Sequence, residues 1–450
     1  MARLGEGRQG TNLTARRPSP WRFAPHPLPE GEGGYAYLDM ILFPQGRPTH
    51  RETFQEYRAA GGYQPTTKNI LEEVTDSGLR GRGGAGFPVG RKWAIAATTP
   101  ADSRYVVCNA GEDEPGSFKD RVLLEHRPHL VLEGMILAAR AISAPHAYLY
   151  LNETYDDCFS RMTSAIDEAR SAGYLDGLTV TIKQAPTVYV AGEDSATLEV
   201  LEGREAKPRQ KPPYPAVSGL FGKPTVVNNV ETLANIPPIV RNGSAWFRNF
   251  GTVESPGTMI FCLGDEMNHP GAYELPMGTP LRQVFENAGG GLTGDAKLKA
   301  ILPGGPSCAF LTADQLDVAL DPESLKHVGS TLGCGVMRFY PEGACMVEET
   351  LRIAQFFAKE CCGQCPACRM ETNMLSTMLE RIQQGKGDAA LLPQFQKILD
   401  FNRGKGYCAL IHMPGPPITS ALRLFADEFS HHMRTGRCMV SVANENVRFW

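Results

Sequence analysis

The sequence predicts an α/β layer with parallel strand pairs, followed by a small α+β module and a helical C-terminal region. Three observations carry that expectation. Strand and helix patterns alternate from about 63 to 245, as they do where parallel strands are joined by crossover helices. Short β runs flank a single helix between 258 and about 340. From about 344 onward the apolar residues recur at helical spacing.

Taken in order, the first predicted helix lies near 67–77. Ile70, Leu71 and Val74 share a face, Thr66 or Thr67 can cap it, and Gly78 suits its end. Residues 105–108 read as a strand, 130–141 as an amphipathic helix and 147–151 as a second strand. A helix near 154–171 and a strand near 178–184 follow. In the middle module, 259–263, 298–302 and 336–339 are β runs, and Thr279-Pro280 opens the helix between them. Helices are then predicted at 345–358, 369–384, 389–402 and 417–432. Before all of these, residues 1 to about 34 hold scattered arginines and prolines without periodicity. They read as a disordered extension, or an over-long start upstream of Met40, in preference to a transit peptide, because Glu6 comes early and hydroxyls are few.

Composition narrows the function. The 47 glycines and 34 prolines make the chain loop-rich, while 42 % hydrophobic residues are ample for a core. A formal net charge of −4 argues against a general polyanion binder, so no nucleic-acid partner is expected. No uncharged apolar run reaches the roughly 18 residues that a membrane helix needs, so no direct membrane insertion is expected.

Twelve cysteines are present. Eight of them (Cys108, Cys158, Cys262, Cys308, Cys334, Cys345, Cys361 and Cys438) are scattered and read as buried thiols. Cys362, Cys365 and Cys368 form C-x2-C-x2-C, with Cys408 as a remote fourth. Three thiolates within seven residues fit one face of a cuboidal cluster, so the pattern favours [4Fe–4S] in a reducing compartment. Structural zinc more often uses two separated pairs, and a redox dithiol would follow a strand; both stay as alternatives. His126 and His129, and the pair His431-His432, lack carboxylates at metal spacing and read as ordinary surface or core histidines.

Gly81-Arg82-Gly83-Gly84-Ala85-Gly86 matches G-x-G-x-x-G, but a helix precedes it and Phe87-Pro88 follows, unlike a dinucleotide fingerprint. Its glycines still let backbone N–H groups approach a phosphate or planar ring, with Arg82 and Lys92 supplying positive charge. The 109–116 loop follows a strand, and Gly192-Glu193-Asp194 and Asn228-Asn229 stand at predicted helix starts. Such acids are commonly plain caps, yet together these segments suit a flavin and a dinucleotide.

Six motifs in this order make the chain resemble the NADH-binding, FMN-bearing subunit of respiratory complex I, the NADH-quinone oxidoreductase, over about residues 50–432. They are the 78–93 glycine segment, the Asn109 loop, Ala191-Gly-Glu-Asp194, Lys211–Pro224, Asn228–Thr232 and the Cys-Gly-x-Cys-x-x-Cys-Arg box. The resemblance implies a Rossmann-like FMN domain at 46–250 and a ubiquitin-like β-grasp (SLBB-like) module at 251–342. A helical [4Fe–4S] domain would follow at 343–436, with an expected disordered extension at 1–45 and a tail at 437–450. It implies FMN along Gly81, Arg82, Gly83, Gly84 and Lys92, with Asn109, Glu112, Tyr189, Gly192, Glu193, Asn228, Asn229 and Thr232 completing the pocket. Phe87 would stack on NAD(H), with Glu114, Asp194 and Lys211 nearby, and Cys362, Cys365, Cys368 and Cys408 would hold the cluster.

The implied activity is that of an NADH dehydrogenase: hydride passes from NADH to FMN, then electrons pass singly to the cluster and onward to quinone. No side chain need be catalytic in itself. Implied partners are a thioredoxin-like [2Fe–2S] subunit and other peripheral-arm subunits, on the cytoplasmic side of a bacterial inner membrane. The chain departs from the family pattern at Gly111, Asp194, Tyr214, Cys361 and 412–417. These departures keep open a diaphorase subunit of a soluble hydrogenase or formate dehydrogenase, although no extra ferredoxin-like cysteine set is present. A non-enzymatic cluster scaffold is the reading of another class, and the intact glycine loop and twin asparagines argue against it.

Overall fold

The computed structural model describes residues 40–439 apart from Gln45, so the expectations for 1–39 and 440–450 lie outside the described residues. The first sheet contains β1 (Tyr105–Ala110), β2 (His146–Asn152), β3 (Thr179–Ala185) and β4 (Thr225–Asn229). Its order is β3-β2-β1-β4 and every pair is parallel. Along β1, Val106 and Cys108 enter one apolar core and Val107 enters another on the opposite face. Burial on both faces is why β1 and β2 read as apolar runs, whereas the edge strand β3 fully buries only Val180 and Ala185.

The helix Pro128–Ile142 carries the larger core, with Pro in its first turn and a left-handed Ser143 at its end. It is held close to the helix Val230–Ala234 at Gly134, where a Cβ would lie 2.1 Å from the carbonyl oxygen of Leu233. Only a residue without a side chain fits that contact.

The strand order fixes where a ligand can enter. The chain steps outward from β1 to β2 to β3, then returns to place β4 on the other side of β1. The crevice at the carboxyl ends of β1 and β4 is therefore the topological switch point. Asn109 faces Asn229 across it, and Cys108 faces Asn228.

The second sheet contains β5 (Thr258–Leu263), β6 (Gly271–Pro276), β7 (Leu298–Leu302), β8 (Leu311–Thr312) and β9 (Val336–Pro341). Its order is β6-β5-β9-β7-β8; β5 and β9 are parallel and the other pairs antiparallel. The C-terminal region holds helices Met346–Glu360, Pro366–Gln383, Leu392–Asn402, Gly415–Leu424 and Ala426–Thr435. The single helix expected at 417–432 is two helices, broken at Phe425 with φ −119° and ψ 32°. The buried Phe425 ring meets Phe310 edge-on at 6.0 Å, a tertiary contact that periodicity does not register.

A second correction concerns the expected disorder of 1–45. Ile41, Leu42 and Phe43 are buried, and the Glu274 carboxylate accepts their backbone N–H groups at 2.6–3.1 Å. An apolar triplet with a buried acceptor waiting for its backbone is ordered by that acceptor. No helix among the described residues is long and apolar enough to cross a membrane.

Candidate functional site

The glycine loop is closed at its base. Val89 N–H donates to Leu79 O at 3.0 Å, and Gly81 N–H donates to Phe87 O at 3.0 Å. It does open a helix, Val89–Thr98, because Pro88 takes the N-cap position and does not stop the chain there. Gly84 and Gly86 have φ of 102° and 61°, values that favour glycine. The loop rests on β4 and the helix after it: Arg82 N–H donates to Thr232 Oγ1 at 2.8 Å. A Cβ on Gly83 would lie 3.1 Å from Asn229 Cβ, so the loop already lies as close as a glycine allows.

The two expected cations differ from the simple picture. Arg82 is buried, its guanidinium donates to Pro256 O at 3.1 Å, and burial pulls its pKa down to about 10 against the pull of Glu231. Its contribution to the loop is therefore its backbone. Lys92 donates to Val227 O at 2.8 Å; burial lowers its pKa and Asp194 opposes the shift.

The acidic loops are mostly self-supporting. Glu112 accepts from Asp120 N–H and Arg121 N–H at 3.1 and 3.0 Å, so it caps the helix Lys119–His126. Burial, aided by Asp120, pushes Glu112 up to about 7. Burial also pushes Glu114 up to about 7, with the Tyr189 hydroxyl beside it opposing the shift. Asn109 joins two segments: its Nδ2 donates to Gly192 O at 2.8 Å and its Oδ1 accepts from Gly111 N–H at 3.1 Å. Glu193 caps the helix Asp194–Leu201 and pairs with Lys211, which also meets Asp194 at 2.7 Å. Asn228 accepts from the Trp93 indole at 2.9 Å, which orients it. Phe87 is 41 % exposed, with the Arg91 guanidinium 5.8 Å from its ring centre.

Sequence reasoning misses what holds this cleft rigid. Lys119 is 1 % exposed and meets Asp120 at 2.8 Å, Glu231 at 3.0 Å and Asn229 at 3.2 Å. Those acids raise its pKa against the opposing effect of burial. Glu231 also accepts from Ile260 N–H at 2.8 Å, which ties the cleft to β5. Nothing in a Lys-Asp pair at a helix start signals burial, because lysine is normally exposed. The second sheet's loops arrive unannounced as well: Gly84 approaches the backbone of Gly333 and Cys334, and Glu114 lies against Gly305.

The four expected cluster cysteines do converge. Cys361 ends the helix Met346–Glu360 and Cys365 caps the helix Pro366–Gln383, so the motif fills the junction between them. Cys361, Cys362, Cys365, Cys368 and Cys408 line one pocket with Val190, Pro208 and Tyr407. Tyr407 N–H donates to Cys365 Sγ at 3.3 Å. Burial pushes Cys408 up to about 11 and raises Cys368 further, with neighbouring thiols adding to both. Thiols that burial keeps protonated need a cation to hold them as thiolates. Cys361, expected only to pack, lies 3.5 Å from Cys368 Sγ. Arg369 packs so close to Gly363 that a Cβ there would meet its Nη2 at 2.2 Å.

The cleft and the pocket share one wall, the segment Tyr189–Gly192. Gly192 is held by Asn109 on the cleft side, and Val190 lines the cysteine pocket. Tyr189 N–H donates to Glu360 Oε2 at 3.1 Å, and its ring meets Phe356 edge-on at 5.1 Å.

Both places fit the groups that the sequence implies. The soft donor set of clustered thiols suits iron–sulfur. In the cleft, glycines at 83, 111 and 192 let its segments pack closely on one another: a Cβ at Gly111 would meet the Tyr150 ring at 3.0 Å, and one at Gly192 would meet Gly111 O at 2.9 Å. The buried Tyr150 hydroxyl beside them finds no hydrogen-bond partner among the described residues.

Comparison with known proteins agrees with this geometry. A family model described as the Nuo51 FMN-binding domain matches residues 74–238, an SLBB domain matches 259–311, and an NADH-ubiquinone oxidoreductase-F iron-sulfur binding region matches 348–432. The chain is 42 % identical to a NADH-quinone oxidoreductase F subunit of Rhizobium meliloti over 398 residues, covering 85 % of this chain and 94 % of that one. It is 39 % identical over 406 residues to the NADP-reducing hydrogenase subunit HndC of Solidesulfovibrio fructosivorans, covering 87 % and 83 %. Among solved structures it resembles an NAD+-reducing [NiFe]-hydrogenase in the H2-reduced state, with a TM-score of 0.77 and 37 % identity. That match covers 81 % of this chain and 63 % of the hydrogenase chain, which is therefore the longer by a wide margin.

Proposed function

The chain belongs to the family of NADH-quinone oxidoreductase F subunits, and on that premise we propose that it is the electron-input subunit of an NADH:quinone oxidoreductase. The observation that carries this is the shared wall: the glycine-loop cleft and the cysteine pocket meet at Tyr189–Gly192. When bound, FMN supplies hydride acceptance from NADH and one-electron delivery, and a [4Fe–4S] cluster supplies a one-electron carrier.

The chain's own residues position these groups. The backbone of Gly81–Gly84 and the ammonium of Lys92 would hold the flavin phosphate, with Thr232 fixing the loop through Arg82 N–H. Asn109, Glu112, Tyr189, Gly192, Glu193, Asn228 and Asn229 would frame the remainder of the flavin. Phe87 would stack on the nucleotide beside Glu114, Asp194 and Lys211. A carboxylate at Asp194 would repel the extra phosphate of NADPH. Cys362, Cys365, Cys368 and Cys408 would hold the cluster, and the helix start at Pro366 favours their negative charge.

On the same reading the parallel sheet is Rossmann-like (46–250), the second sheet a ubiquitin-like β-grasp module (251–342), and the last region a helical bundle (343–436). The switch point between β1 and β4 supports the first of these. A thioredoxin-like [2Fe–2S] subunit would pack nearby within a complex that is peripheral to the membrane. The identity shared with HndC supports a second reading, the diaphorase subunit of a hydrogenase, with the same site and a different electron acceptor.

The test is to purify the chain anaerobically with FMN, add NADH or NADPH, and follow loss of the flavin's visible absorbance. Rapid loss with NADH alone is expected. Absence of any response with FMN bound would overturn the hydride site, and an equal response to NADPH would overturn the role given to Asp194.

A further inference from the structure

Three side chains outside both the cleft and the cysteine pocket meet at the far end of the helical region. Cys345 is the N-cap residue of the helix Met346–Glu360 and is 5 % exposed. His432, 2 % exposed, sits in the last turn of the helix Ala426–Thr435. Cys438 lies just past that helix and is partly exposed. The two Cys Sγ atoms and a ring nitrogen of His432 all lie within 4.8 Å of one another, with Cys345 Sγ 3.2 Å from His432 Nε2. Tetrahedral zinc with two sulfurs and one nitrogen places its ligand atoms about 3.6–3.8 Å apart, so only small adjustments separate this cluster from a coordination shell.

The histidine is oriented for the role. Its Nδ1 lies 3.3 Å from Gln383 O, and a carbonyl there requires Nδ1 to carry the proton. Nε2 is then the lone-pair nitrogen, and it faces the sulfurs. A backbone carbonyl behind a ligating imidazole is the usual outer support of a protein metal site. The turn is built as well: Gly436 adopts φ 64° and donates to His432 O at 2.8 Å, which swings Cys438 back over the helix end. Glu428, one turn earlier, is occupied by Met346 N–H at 3.0 Å and Lys299 at 2.7 Å.

From this geometry we infer that Cys345, His432 and Cys438 form a zinc site, separate from the Cys362 cluster, that pins the end of the last helix to the start of the Met346–Glu360 helix. Two thiolates and one imidazole are a borderline-soft set that suits Zn2+ over harder cations. Three protein ligands leave the fourth tetrahedral position to water or to another residue.

The test uses the full chain purified anaerobically with its flavin and iron, grown with zinc and dialysed against a mild chelator. Metal analysis is expected to give one zinc per chain besides the cluster iron. Cys438→Ser, at a partly exposed position, should lower zinc at least tenfold while iron and flavin stay unchanged; His432→Gln is the second variant. Cys362→Ser should lose iron and keep zinc, which separates this site from metal misplaced in the cluster pocket. Cobalt substitution should give a thiolate-to-cobalt absorption band that Cys438→Ser abolishes. Zinc far below one per chain, zinc unaffected by Cys438→Ser, or a Cys345–Cys438 disulfide in the mass of the unreduced protein would each overturn the inference.

Discussion

The cysteine pocket and the cleft beside it are built on opposite plans. Three of the pocket's four proposed ligands come from one short stretch at the junction of two helices, so covalent proximity does most of the positioning, and only Cys408 is remote. The cleft draws on several separate segments, and a buried polar network of Lys119, Asp120, Asn229 and Glu231 ties the 112–120 segment to β4 and β5. A site made from one segment tolerates loose surroundings. One made from many segments depends on what lies beneath it.

Breaking each plan at its characteristic point gives the largest expected effects. Cys408→Ala should abolish the cluster, seen as loss of iron and of visible absorption, while flavin binding survives; a full cluster signal would mean that Cys361 or another thiol replaces it. Lys119→Met leaves Asp120 and Glu231 buried without their countercharge and should cost about 3–5 kcal/mol. Denaturant unfolding would measure that loss, and weakened flavin binding with intact iron would show that the network serves the cleft alone.

Smaller effects sharpen the same contrast. Burial raises Glu114 from about 4.5 to about 7, so the folded chain holds a proton there that the unfolded chain releases. Its contribution to stability is full below about pH 4.5 and is lost as pH rises toward and through 7. In the flavin-free chain, Glu114→Gln should remove that decline and gain about 1–2 kcal/mol over wild type by pH 8, read from unfolding curves at several pH values. Thr232→Val takes away the acceptor for Arg82 N–H and should cost about 1 kcal/mol. Faster hydrogen exchange confined to 81–87, with the cysteine helices unchanged, would be its signature.

The same contrast explains what is legible in the sequence. C-x2-C-x2-C is visible because its spacing is its geometry, and β1 and β2 are visible because both of their faces are largely apolar. The glycine loop is recognisable, but the helix that it opens is hidden behind Pro88. Lys119 and Glu231 give no local sign, since burying a charge is a property of the partners that long-range packing brings to it. Cys345, His432 and Cys438 read as ordinary residues for the same reason: 87 positions separate the first two, and no short-range pattern spans such a gap. The break at Phe425 likewise falls where its ring meets Phe310, far away in sequence.

Glu274 carries one more consequence, for how the chain is made. Its carboxylate receives the N–H groups of residues 41–43 and the hydroxyl of Thr258, and Glu231 waits likewise for Ile260 N–H. On the ribosome, the segment at 41–43 emerges more than 200 residues before the acceptor that orders it. The parallel sheet, too, is complete in sequence before Glu231, already paired with Lys119, gains its backbone donor Ile260 N–H. The nascent protein is therefore expected to hold its cleft half-finished until β5 and β6 have cleared the exit tunnel. Insertion of flavin should follow that moment, because until then Glu231, in the helix on which the glycine loop rests, has Lys119 but not yet Ile260 N–H.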